Sequence, residues 1–587
     1  AGTLLDLFAA PRANLWWFLE ISEKSPLRGP LVNQLYFLAL IRAVVSHGSY
    51  AEVWLSLADG RLARAVRDGA SLPAPVRLIQ PAAARRLRSF SARAWLEDSV
   101  LLRYLVRLSR AFALHLLSWA ILHLTGTGKW RPGAQASIVF FSFYPVWWNS
   151  PYGAHARERF FELLPAELSR RGPVHYAVWL TLSPFELWRR RRDINEVWQR
   201  LNVVPLQRTI GPRDSLSLLS PTHLARLLRL RFFLARRLRA TFEGFDIAPL
   251  VVKEVYRSMT SSEFFLDLLL MRGMGALTAR LPTRALVYRV EFQPFEKAVL
   301  YGVRGRSRAV AFQHSTFGRN YLSHFFPPGE IAHYRSNGSD PSHMPLPDTL
   351  LTTGTYARDV MARNGFASES LDVCGPVRYA RLLRYLRERE DRAAIREKLG
   401  LPASKKVFLV MTSVVSGESR GLLAALALAL EGLDERPCIV FKGHPALPMD
   451  REFQRLVVPR LAGGDYRVLP VDAPLYDYMS VSDAVILAGS TVCLEAIVLG
   501  VVPIVFESKS VLDAKSMTEI KAAALMVSNQ GELGEAMRGV ARGDERLNEL
   551  RRCWPQALEA MFYRLDGDPN ERFAAILERR GILAPGA

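Results

Sequence analysis

The chain has 587 residues, enough for two or three domains with apolar cores. Hydrophobic residues make up 49% of it and charged residues 23%, which excludes a disordered chain. The formal net charge of +21 indicates an anionic partner, such as nucleic acid, an anionic membrane or a phosphorylated substrate. The four cysteines lie far apart in apolar runs without CxxC spacing, which predicts buried thiols in a reducing compartment and no metal site. The first residues lack the pattern of a cleavable signal peptide, so we expect a cytoplasmic protein.

Basic amphipathic stretches mark the first half of the chain. Residues 1–50 predict a helical cap, built as a helical pair with a break at "PLRGP". In 97–124, arginines spaced by four and three residues precede a 14-residue apolar run, which is shorter than the ~18–20 residues of a bilayer span. A second stretch, 225–241, alternates leucine and phenylalanine with arginine. Such helices can lie on an anionic membrane, and the alternative is an ordinary helix with a solvated arginine face.

Strands alternate with helices in two series along the chain. The first series has strand candidates at 52–57, 137–143, 174–180, 285–290, 308–313 and 349–354. The second has them at 407–411, 438–441, 466–470, 483–488 and 502–506. This alternation predicts an α/β protein with two doubly wound parallel sheets and a crevice between them. We expect an N-terminal domain over 51–375 (with the amphipathic insertion 97–124), a C-terminal domain over 376–545, and a helical tail over 546–587 that packs back across the junction.

Three strand ends in the second series carry unusual polar residues. "VFLVM" runs into Thr412 and Ser413, "CIVF" runs into the turn 442–445, and "DAVILA" runs into a Gly-Ser-Thr sequence that opens a helix. Parallel topology brings these ends to one edge of the sheet, where open α/β sheets bind ligands. The candidate donor-binding residues are Thr412, Ser413, Lys442, Gly443, His444, Pro445, Ser490, Thr491 and Glu495.

The chemistry of these residues suits a nucleotide phosphate. In the turn 442–445, the lysine and histidine supply charge or donors, the glycine admits close approach of the backbone, and the proline ends the strand. Ser490 and Thr491 start a helix, where hydroxyls and free N–H groups favour an anion, and Glu495 suits ribose hydroxyls. A plain basic turn and a plain N-cap are the alternatives. The sequence has no GxxxxGK[ST], no GxGxxG after the first strand of either series and no Asp-x-Asp at a strand end, so it predicts no NTPase loop, dinucleotide fingerprint or metal-bound diphosphate.

These motifs resemble a known architecture. "FKGHP", followed about 45 residues later by "GSTVCLEAIVLGVVPIVF", resembles the nucleotide domain of GT-B glycosyltransferases. The His-Pro followed by a Ser/Thr pair is similar to bacterial enzymes that use CMP-activated acidic sugars, such as sialyltransferases and Kdo transferases. "YRVEFQPFEKAVL" and "AFQHSTFG" look like segments of surface-carbohydrate biosynthesis proteins, so the motif-level resemblance covers 280–510. It implies that His444, Pro445, Ser490 and Thr491 contact the CMP phosphate and cytidine.

The first domain is then expected to supply the acceptor site and the catalytic base. Glu291 ends the strand 285–290, where a carboxylate can deprotonate an acceptor hydroxyl or attack the anomeric carbon. The alternative for Glu291 is a first-turn charge of the helix 294–302. His314 ends the next strand, and its near-neutral pKa suits a base or a contact to a sugar carboxylate. Further cleft candidates at the same edge are Glu296, Gln313, Thr353 and Gly354.

The resemblance implies a metal-independent GT-B glycosyltransferase without a bound cofactor. It would transfer an acidic sugar such as Kdo or sialic acid from a CMP donor to a lipid-linked or glycan acceptor. The product would be a bacterial surface polysaccharide (lipopolysaccharide, capsule or O-antigen), made by a peripheral protein at the cytoplasmic face of the inner membrane. A UDP-sugar transferase or epimerase and a teichoic-acid-type CDP-polyol phosphotransferase remain open. A nucleic-acid-binding protein, suggested by "RRRRD" at 189–193, is disfavoured because the arginines are spread over the whole chain.

Overall fold

Two parallel β-sheets organise the chain. The computed structural model describes residues 9–10, 13–24, 30–48, 52–57, 59–67, 75–79, 100–130, 133–216, 225, 229, 238–319, 321–336, 343–461, 465–470, 473–488, 490–507 and 519–584. Most of the basic stretch 225–241 and the first three residues of the insertion 97–124 lie outside the described residues, as does the glycine before Ser490.

The N-terminal sheet has seven strands, each parallel to its neighbours. They are β1 (Ser137–Tyr144), β2 (Val174–Leu180), β3 (Val203–Pro205), β4 (Thr283–Arg289), β5 (Arg308–Phe312), β6 (Thr349–Thr352) and β7 (Leu371–Val373). Their spatial order is β7-β6-β5-β4-β1-β2-β3, so the chain reverses direction across the sheet between β1 and β4. All eight residues of β1 are buried, because helices cover both faces of a doubly wound sheet.

The C-terminal sheet has six parallel strands. They are β8 (Val407–Met411), β9 (Cys438–Lys442), β10 (Tyr466–Val468), β11 (Ala484–Leu487), β12 (Val502–Phe506) and β13 (Leu525–Val527). Their order, β10-β9-β8-β11-β12-β13, reverses between β8 and β11. Ligands of such sheets bind beyond the carboxyl ends of the strands at this point of reversal.

The helices that surround the sheets follow in chain order. They are α1 (Pro30–His47), α2 (Gly60–Arg67), α3 (Val100–Leu124), α4 (Leu164–Ser169), α5 (Pro184–Arg189), α6 (Arg191–Arg200), α7 (Leu206–Thr209), α8 (Pro212–Leu216), α9 (Ala248–Met259), α10 (Ser262–Thr278), α11 (Pro294–Val303), α12 (Glu330–Ser336), α13 (Thr355–Arg363), α14 (Ala380–Glu388), α15 (Arg392–Lys398), α16 (Ser416–Glu431), α17 (Asp450–Leu456), α18 (Leu475–Val481), α19 (Val492–Val498), α20 (Gln530–Arg542), α21 (Arg546–Phe562) and α22 (Pro569–Arg579). Short 3-10 helices lie at Leu15–Phe18, Glu20–Glu23, Leu322–His324, Ser368–Ser370, Val377–Tyr379, Val458–Arg460 and Lys521–Ala523.

The N-terminal region differs from the helical pair that the sequence predicts. Its first half forms two 3-10 helices, Leu15–Phe18 and Glu20–Glu23, because Trp17, Phe18 and Leu19 are buried in the core of the N-terminal domain. Its second half, α1, packs in a separate small core. The strand Val53–Ser56, expected in the main sheet, pairs instead with Val76–Ile79 next to this small core.

Helix α3 is one continuous helix of 25 residues that joins the arginine-rich stretch to the apolar run. Over the described residues, it is the one helix that is long and apolar enough to cross a membrane, by length and composition. One of its faces is part of the domain core, through Tyr104, Leu108 and Leu122. His115 of the same face stacks on Trp179 of β2.

The C-terminal helices cross from one domain to the other. Helix α21 packs on the C-terminal core through Ala557, Met561 and Phe562, and it contacts α13 of the N-terminal domain. Helix α22 buries Phe573, Ile576 and Leu577 in the N-terminal core. The two domains are therefore joined by two chain passages, one near residue 376 and one near residue 565.

Candidate functional site

The carboxyl edges of the two sheets face each other at the domain junction. Arg381 at the start of α14 forms an ion pair with Glu162 of the N-terminal domain, with an Nε–Oε2 distance of 3.1 Å. The Arg159 guanidinium of the N-terminal domain is close enough to lower the pKa of His444, which follows β9 in the C-terminal domain. The polar strand ends of both domains therefore border one cleft.

The structure brings together the two residues that the sequence proposed as catalytic. Strands β4 and β5 are neighbours, and Arg289 pairs with Phe312 in their register. Glu291 and His314 each lie two residues beyond, so the register places them side by side. The Oε1 atom of Glu291 is 3.3 Å from His314 Nε2 and 3.1 Å from Arg289 Nη1. The Gln293 side chain donates to the other carboxylate oxygen.

The turn that holds Glu291 is strained and tightly supported. Phe292 has a φ of +57°, a left-handed conformation that costs an L residue about 1–2 kcal/mol. Its ring is buried against Phe326 and Phe366, which keeps the turn in place. The Glu291 N–H donates to both carboxyl oxygens of Glu296, at 3.1 and 3.0 Å. Burial raises the pKa of Glu296 to about 8, so this carboxyl shapes the turn and does not face the cleft as expected.

His314 is buried, with its ring edge against Phe160. Burial and then the positive charges of Arg289 and Arg378 hold its pKa well below the usual value, so the imidazole is neutral at pH 7. Its Nδ1 atom has no hydrogen-bond partner among the described residues. With the proton on Nε2 facing Glu291, Nδ1 is left as an acceptor that the protein encloses and that has no partner among the described residues. A carboxylate–imidazole pair of this kind can serve as a general base.

Arg289 and Arg378 lie beside this pair, Arg159 lies near Arg378, and the sequence did not single out any of the three. The Arg289 guanidinium lies 3.8 Å above the Trp147 ring and 5.0 Å from Phe160, and Arg378 lies 5.2 Å from Phe160. Burial and then the Arg378 charge lower the pKa of Arg159. The Nε atoms of Arg159 and Arg289 are buried without hydrogen-bond partners among the described residues. Like charges with unused donors favour a bound anion.

The turn after β9 presents His444 to the cleft. Its backbone N–H donates to the Thr412 hydroxyl at 3.0 Å, so the end of β8 fixes the turn. Its Nδ1 accepts from the Ala446 N–H at 3.1 Å. Burial and Arg159 lower the pKa of His444, so the neutral ring carries its proton on Nε2. His444 therefore keeps one ring N–H, on Nε2, that the contact with Ala446 does not use.

Lys442 and Gly443, both predicted to approach the ligand, have roles within the turn instead. The Lys442 ammonium is buried and donates to the Pro470 carbonyl oxygen at 2.9 Å. A Cβ at position 443 would overlap the carbonyl oxygen of Pro448, so the glycine is required by the close passage of the chain. Pro445 is exposed at the tip of the turn.

Ser413 also forms its hydrogen bonds within its own loop. Its hydroxyl donates to Glu418 at 2.9 Å and accepts from the Val415 N–H at 3.0 Å. Its backbone N–H donates to Ser419. Ser413 therefore holds the start of α16, and of the two residues at this strand end only Thr412 supports the candidate site, through His444.

The third strand end brings Thr491 and Glu495 to the domain junction. The Tyr379 hydroxyl donates to Thr491 Oγ1 at 3.3 Å, and Ser490 lies partly exposed beside it. Thr491 makes no side-chain cap to α19. Burial raises the pKa of Glu495 to about 7, opposed by the positive charge of Arg378. Glu495 thereby links the C-terminal domain to the arginine cluster.

Gln313, Thr353 and Gly354 were predicted to line the cleft. In the structure they connect other parts of the fold instead. The buried Gln313 side chain accepts from the Thr353 N–H at 3.1 Å and from its hydroxyl at 3.2 Å, which ties β5 to β6. A Cβ at Gly354 would overlap the backbone of Ala560 in α21. The C-terminal tail therefore packs against this strand end.

Several cavities lie away from the cleft, and two of them lie at the amino ends of the sheet strands. One of about 1000 Å³ is lined by Thr283, Arg308 and Thr349, which begin strands of the N-terminal sheet. One of about 540 Å³ lies at the corresponding edge of the C-terminal sheet. The amino ends of parallel strands are not where open α/β sheets bind their ligands, so the cleft is the candidate site. Among the described residues, no group of three or more His, Cys, Asp or Glu side chains is placed to hold a metal ion.

The chain is similar in backbone structure to several solved proteins. No protein-family model matches the chain, and no curated protein matches it either. UDP-GlcNAc 2-epimerase from Neisseria meningitidis, solved with UDP-GlcNAc, is 10% identical and aligns with a TM-score of 0.45 over 76% of this chain and 100% of its own. A glycosyltransferase from Rickettsia africae is 10% identical, with a TM-score of 0.41 over 76% and 99%. MurG from Acinetobacter baumannii is 12% identical, with a TM-score of 0.40 over 76% and 100%.

Similarity at these TM-scores and identities does not indicate which reaction this chain catalyses. Its own topology settles the architecture. Two doubly wound parallel sheets turn their carboxyl edges toward a shared cleft, and the C-terminal helices cross back to the first domain. The chain has the GT-B fold.

Proposed function

We propose that this protein is a glycosyltransferase that uses a nucleotide-activated sugar. The observation that carries the proposal is the Glu291–His314 pair, whose buried, unpartnered Nδ1 lies near Arg289 and Arg378, while Arg159 of the same cluster lies near His444 of the other domain. A base in one domain and donors for phosphate in the other are what transfer of a sugar from a nucleotide to a hydroxyl requires.

The donor binds mainly to the C-terminal domain in this proposal. The His444 Nε2–H and the hydroxyls of Ser490 and Thr491 donate to phosphate oxygens, while Glu495 accepts from the ribose hydroxyls. Arg159 and Arg378 offset the charge of the phosphate. A CMP-linked acidic sugar such as Kdo or sialic acid is the donor that we favour, because the arginine cluster suits a sugar carboxylate beside the phosphate. A UDP-sugar is the alternative donor.

The reaction follows from the positions of these groups. His314 Nδ1 takes the proton of the acceptor hydroxyl, and Glu291 stabilises the imidazolium that forms. The acceptor oxygen bonds to the anomeric carbon as the bond from that carbon to the phosphate oxygen breaks. The arginines stabilise the negative charge that develops on the departing nucleotide, so the scheme uses no bound cofactor or metal ion.

The acceptor in this proposal is a lipid-linked or glycan hydroxyl of a bacterial surface polysaccharide. The excess of positive charge supports an anionic surface or acceptor as the partner. We place the protein at the cytoplasmic face of the inner membrane, as a peripheral protein. Transfer of a polyol phosphate from a CDP-linked donor, in place of a sugar, would assign the related phosphotransferase activity instead.

Calorimetric titration with CMP, UDP and GDP tests the donor site. We expect one of the three nucleotides to bind, and the His444→Ala variant to bind it about tenfold more weakly through loss of one hydrogen bond to a charged phosphate. His47→Ala, at an exposed histidine of α1, is the matched control and should bind like the wild type. Absence of binding by all three nucleotides, or equal binding by the His444→Ala variant, would refute the assignment of this site.

A further inference from the structure

The N-terminal domain exposes an apolar face that no other described part of the chain covers. Helix α3 packs one side on the domain and turns large apolar side chains outward on the other, and the most exposed of them in mid-helix is Leu117, at 53%. The outward side chains are Leu105, Val106, Leu114, Leu117 and Leu124. Helix α5 packs against α3 and adds Phe185 and Trp188, which are 72% and 49% exposed.

Arginines border this face. Trp188 is followed directly by the run 189–192, which consists of four arginines. The Arg191 guanidinium lies 4.5 Å from the Trp188 ring, while Arg189 and Arg192 are exposed. A cavity of about 570 Å³ next to α3 is lined by Arg107, Arg110 and Leu114 of the helix, together with Arg257, Glu20 and Glu263. Apolar, aromatic and cationic groups thus occupy one side of the domain.

The position of the face in the fold relates it to the cleft. Helix α5 begins four residues after β2 ends, so Phe185 and Trp188 lie at the carboxyl edge of the N-terminal sheet. Val146, which is also exposed, follows the carboxyl end of β1 at the same edge. Glu291 and His314 lie beyond the carboxyl ends of β4 and β5 in that sheet. The exposed face and the candidate catalytic pair therefore share one edge of the sheet.

We propose that this face, formed by the outward side of α3 together with Phe185 and Trp188, docks on an anionic lipid surface. Aromatic rings beside arginines suit the headgroup region, where the rings enter the apolar boundary and the guanidinium groups meet phosphates. Helix α3 lies along the surface and does not span it, because Tyr104, Leu108 and Leu122 are part of the domain core. Docking turns the carboxyl edge of the sheet toward the bilayer.

The docking specifies the surface for the membrane placement in the proposed function, and its consequence for the acceptor rests on the proposed glycosyl transfer. If the cleft transfers a sugar, then docking brings the Glu291–His314 edge within reach of a hydroxyl on a lipid-anchored acceptor. Binding to lipid is measured without any nucleotide. A failure of lipid binding and a failure of nucleotide binding are therefore separate results.

Vesicle flotation of the full-length protein tests the docking surface. The probes are vesicles of phosphatidylethanolamine with phosphatidylglycerol, and neutral vesicles of phosphatidylcholine. We expect flotation with the anionic vesicles and a loss of at least about tenfold in the partition coefficient for Phe185→Ser/Trp188→Ser. We expect Leu117→Ser to weaken binding in the same direction. Arg189→Glu/Arg192→Glu should reduce binding most at low salt, where charge attraction is strongest.

Matched control variants show whether a loss of flotation is specific to this face or follows from any loss of charge or of an exposed apolar side chain. Leu428 of α16 is 48% exposed in the C-terminal domain, so Leu428→Ser changes a comparable leucine elsewhere and should float like the wild type. Arg451→Glu/Arg455→Glu on α17 reverses two exposed charges and should also leave flotation intact. Unchanged thermal unfolding shows that each variant is folded.

Three results would overturn the docking surface. They are equal flotation of the wild type and Phe185→Ser/Trp188→Ser, an equal loss in the matched controls, and no flotation with anionic vesicles. Salt-sensitive binding to single-stranded RNA without any binding to vesicles would overturn it in favour of a nucleic-acid surface.

Discussion

His314 and His444 are both neutral in this cleft, yet each presents a different nitrogen. Glu291 faces His314 Nε2 and leaves Nδ1 free to accept a proton, whereas the Ala446 N–H occupies His444 Nδ1 and leaves Nε2–H to donate. The two imidazoles are thus set for opposite tasks by their nearest neighbours. The nitrogen that can accept a proton is that of the proposed base, His314. The N–H that can donate is that of the proposed phosphate contact, His444.

The buried Glu296 predicts a dependence of stability on pH. Burial raises its pKa from 4.5 to about 8 in the folded protein, so between these values the folded state holds a proton that the unfolded state has released. The free energy of unfolding should therefore fall as pH rises from about 5 to 8. In Glu296→Gln this fall should shrink by on the order of 1 kcal/mol or more, as measured by urea denaturation at both pH values.

An exposed glutamate provides the control for the Glu296→Gln experiment. Glu263, an exposed glutamate in the first turn of α10, gives the control Glu263→Gln, which should keep the wild-type dependence on pH. An undiminished fall in stability in Glu296→Gln would contradict the assignment of a raised pKa to this carboxyl.

The Glu291–His314 pair could be anticipated from the sequence because both residues follow predicted strands that are consecutive in the chain. The arginine cluster could not, because Arg159 lies outside the main strands and Arg378 lies in a 3-10 helix at the domain junction. Only the tertiary fold brings them beside Phe160. Lys442 was predicted to contact the ligand because of its charge. The sequence does not show the partner of a side chain, which for Lys442 is the Pro470 carbonyl oxygen.

At the scale of elements, the last helix of the chain is part of the first domain. Phe573 of α22 is fully buried among residues of the N-terminal core, including Phe312. Phe573→Ala should cost about 3–5 kcal/mol of the stability of that domain through lost burial and a cavity. Hydrogen exchange of amides in β4 and β5 measures the effect where it should occur.

The control for this prediction is a phenylalanine of the same domain that faces solvent. Phe185→Ala should leave exchange in β4 and β5 unchanged. Slow, wild-type exchange in Phe573→Ala would mean that α22 does not contribute to the stability of the N-terminal sheet.

Strand length decided which elements the sequence could predict. Strands β8 and β12 follow the predicted bounds, since five consecutive apolar residues give a clear signal. Strands β3, β7 and β13 have three residues each and were not predicted, because so short a run carries no usable period. Strand β10 also has three residues, but it lies in the longer run 466–470 that was predicted as a strand. Val53–Ser56 was predicted as a strand but not with its partner, because pairing in a parallel sheet is not encoded locally.

At the scale of the whole molecule, the positive charge has three separate locations. Part lies in the cleft as Arg159, Arg289 and Arg378, part lies beside the exposed face of α3 and α5, and the rest is spread over the surface. The net charge of +21 predicted an anionic partner without saying where it binds. The fold separates the proposed site for a small anion from the proposed face for an extended one.

The Glu291–His314 pair is the proposed base of a glycosyl transfer in this cleft. Its most direct test is mass spectrometry of products from a panel of CMP-, UDP- and GDP-sugars, with an extract of bacterial lipids and lipopolysaccharide as acceptor. We expect transfer from one donor, and a loss of at least about a hundredfold in rate for His314→Ala, with nucleotide affinity unchanged. No transfer from any donor, or a wild-type rate in His314→Ala, would contradict the claim.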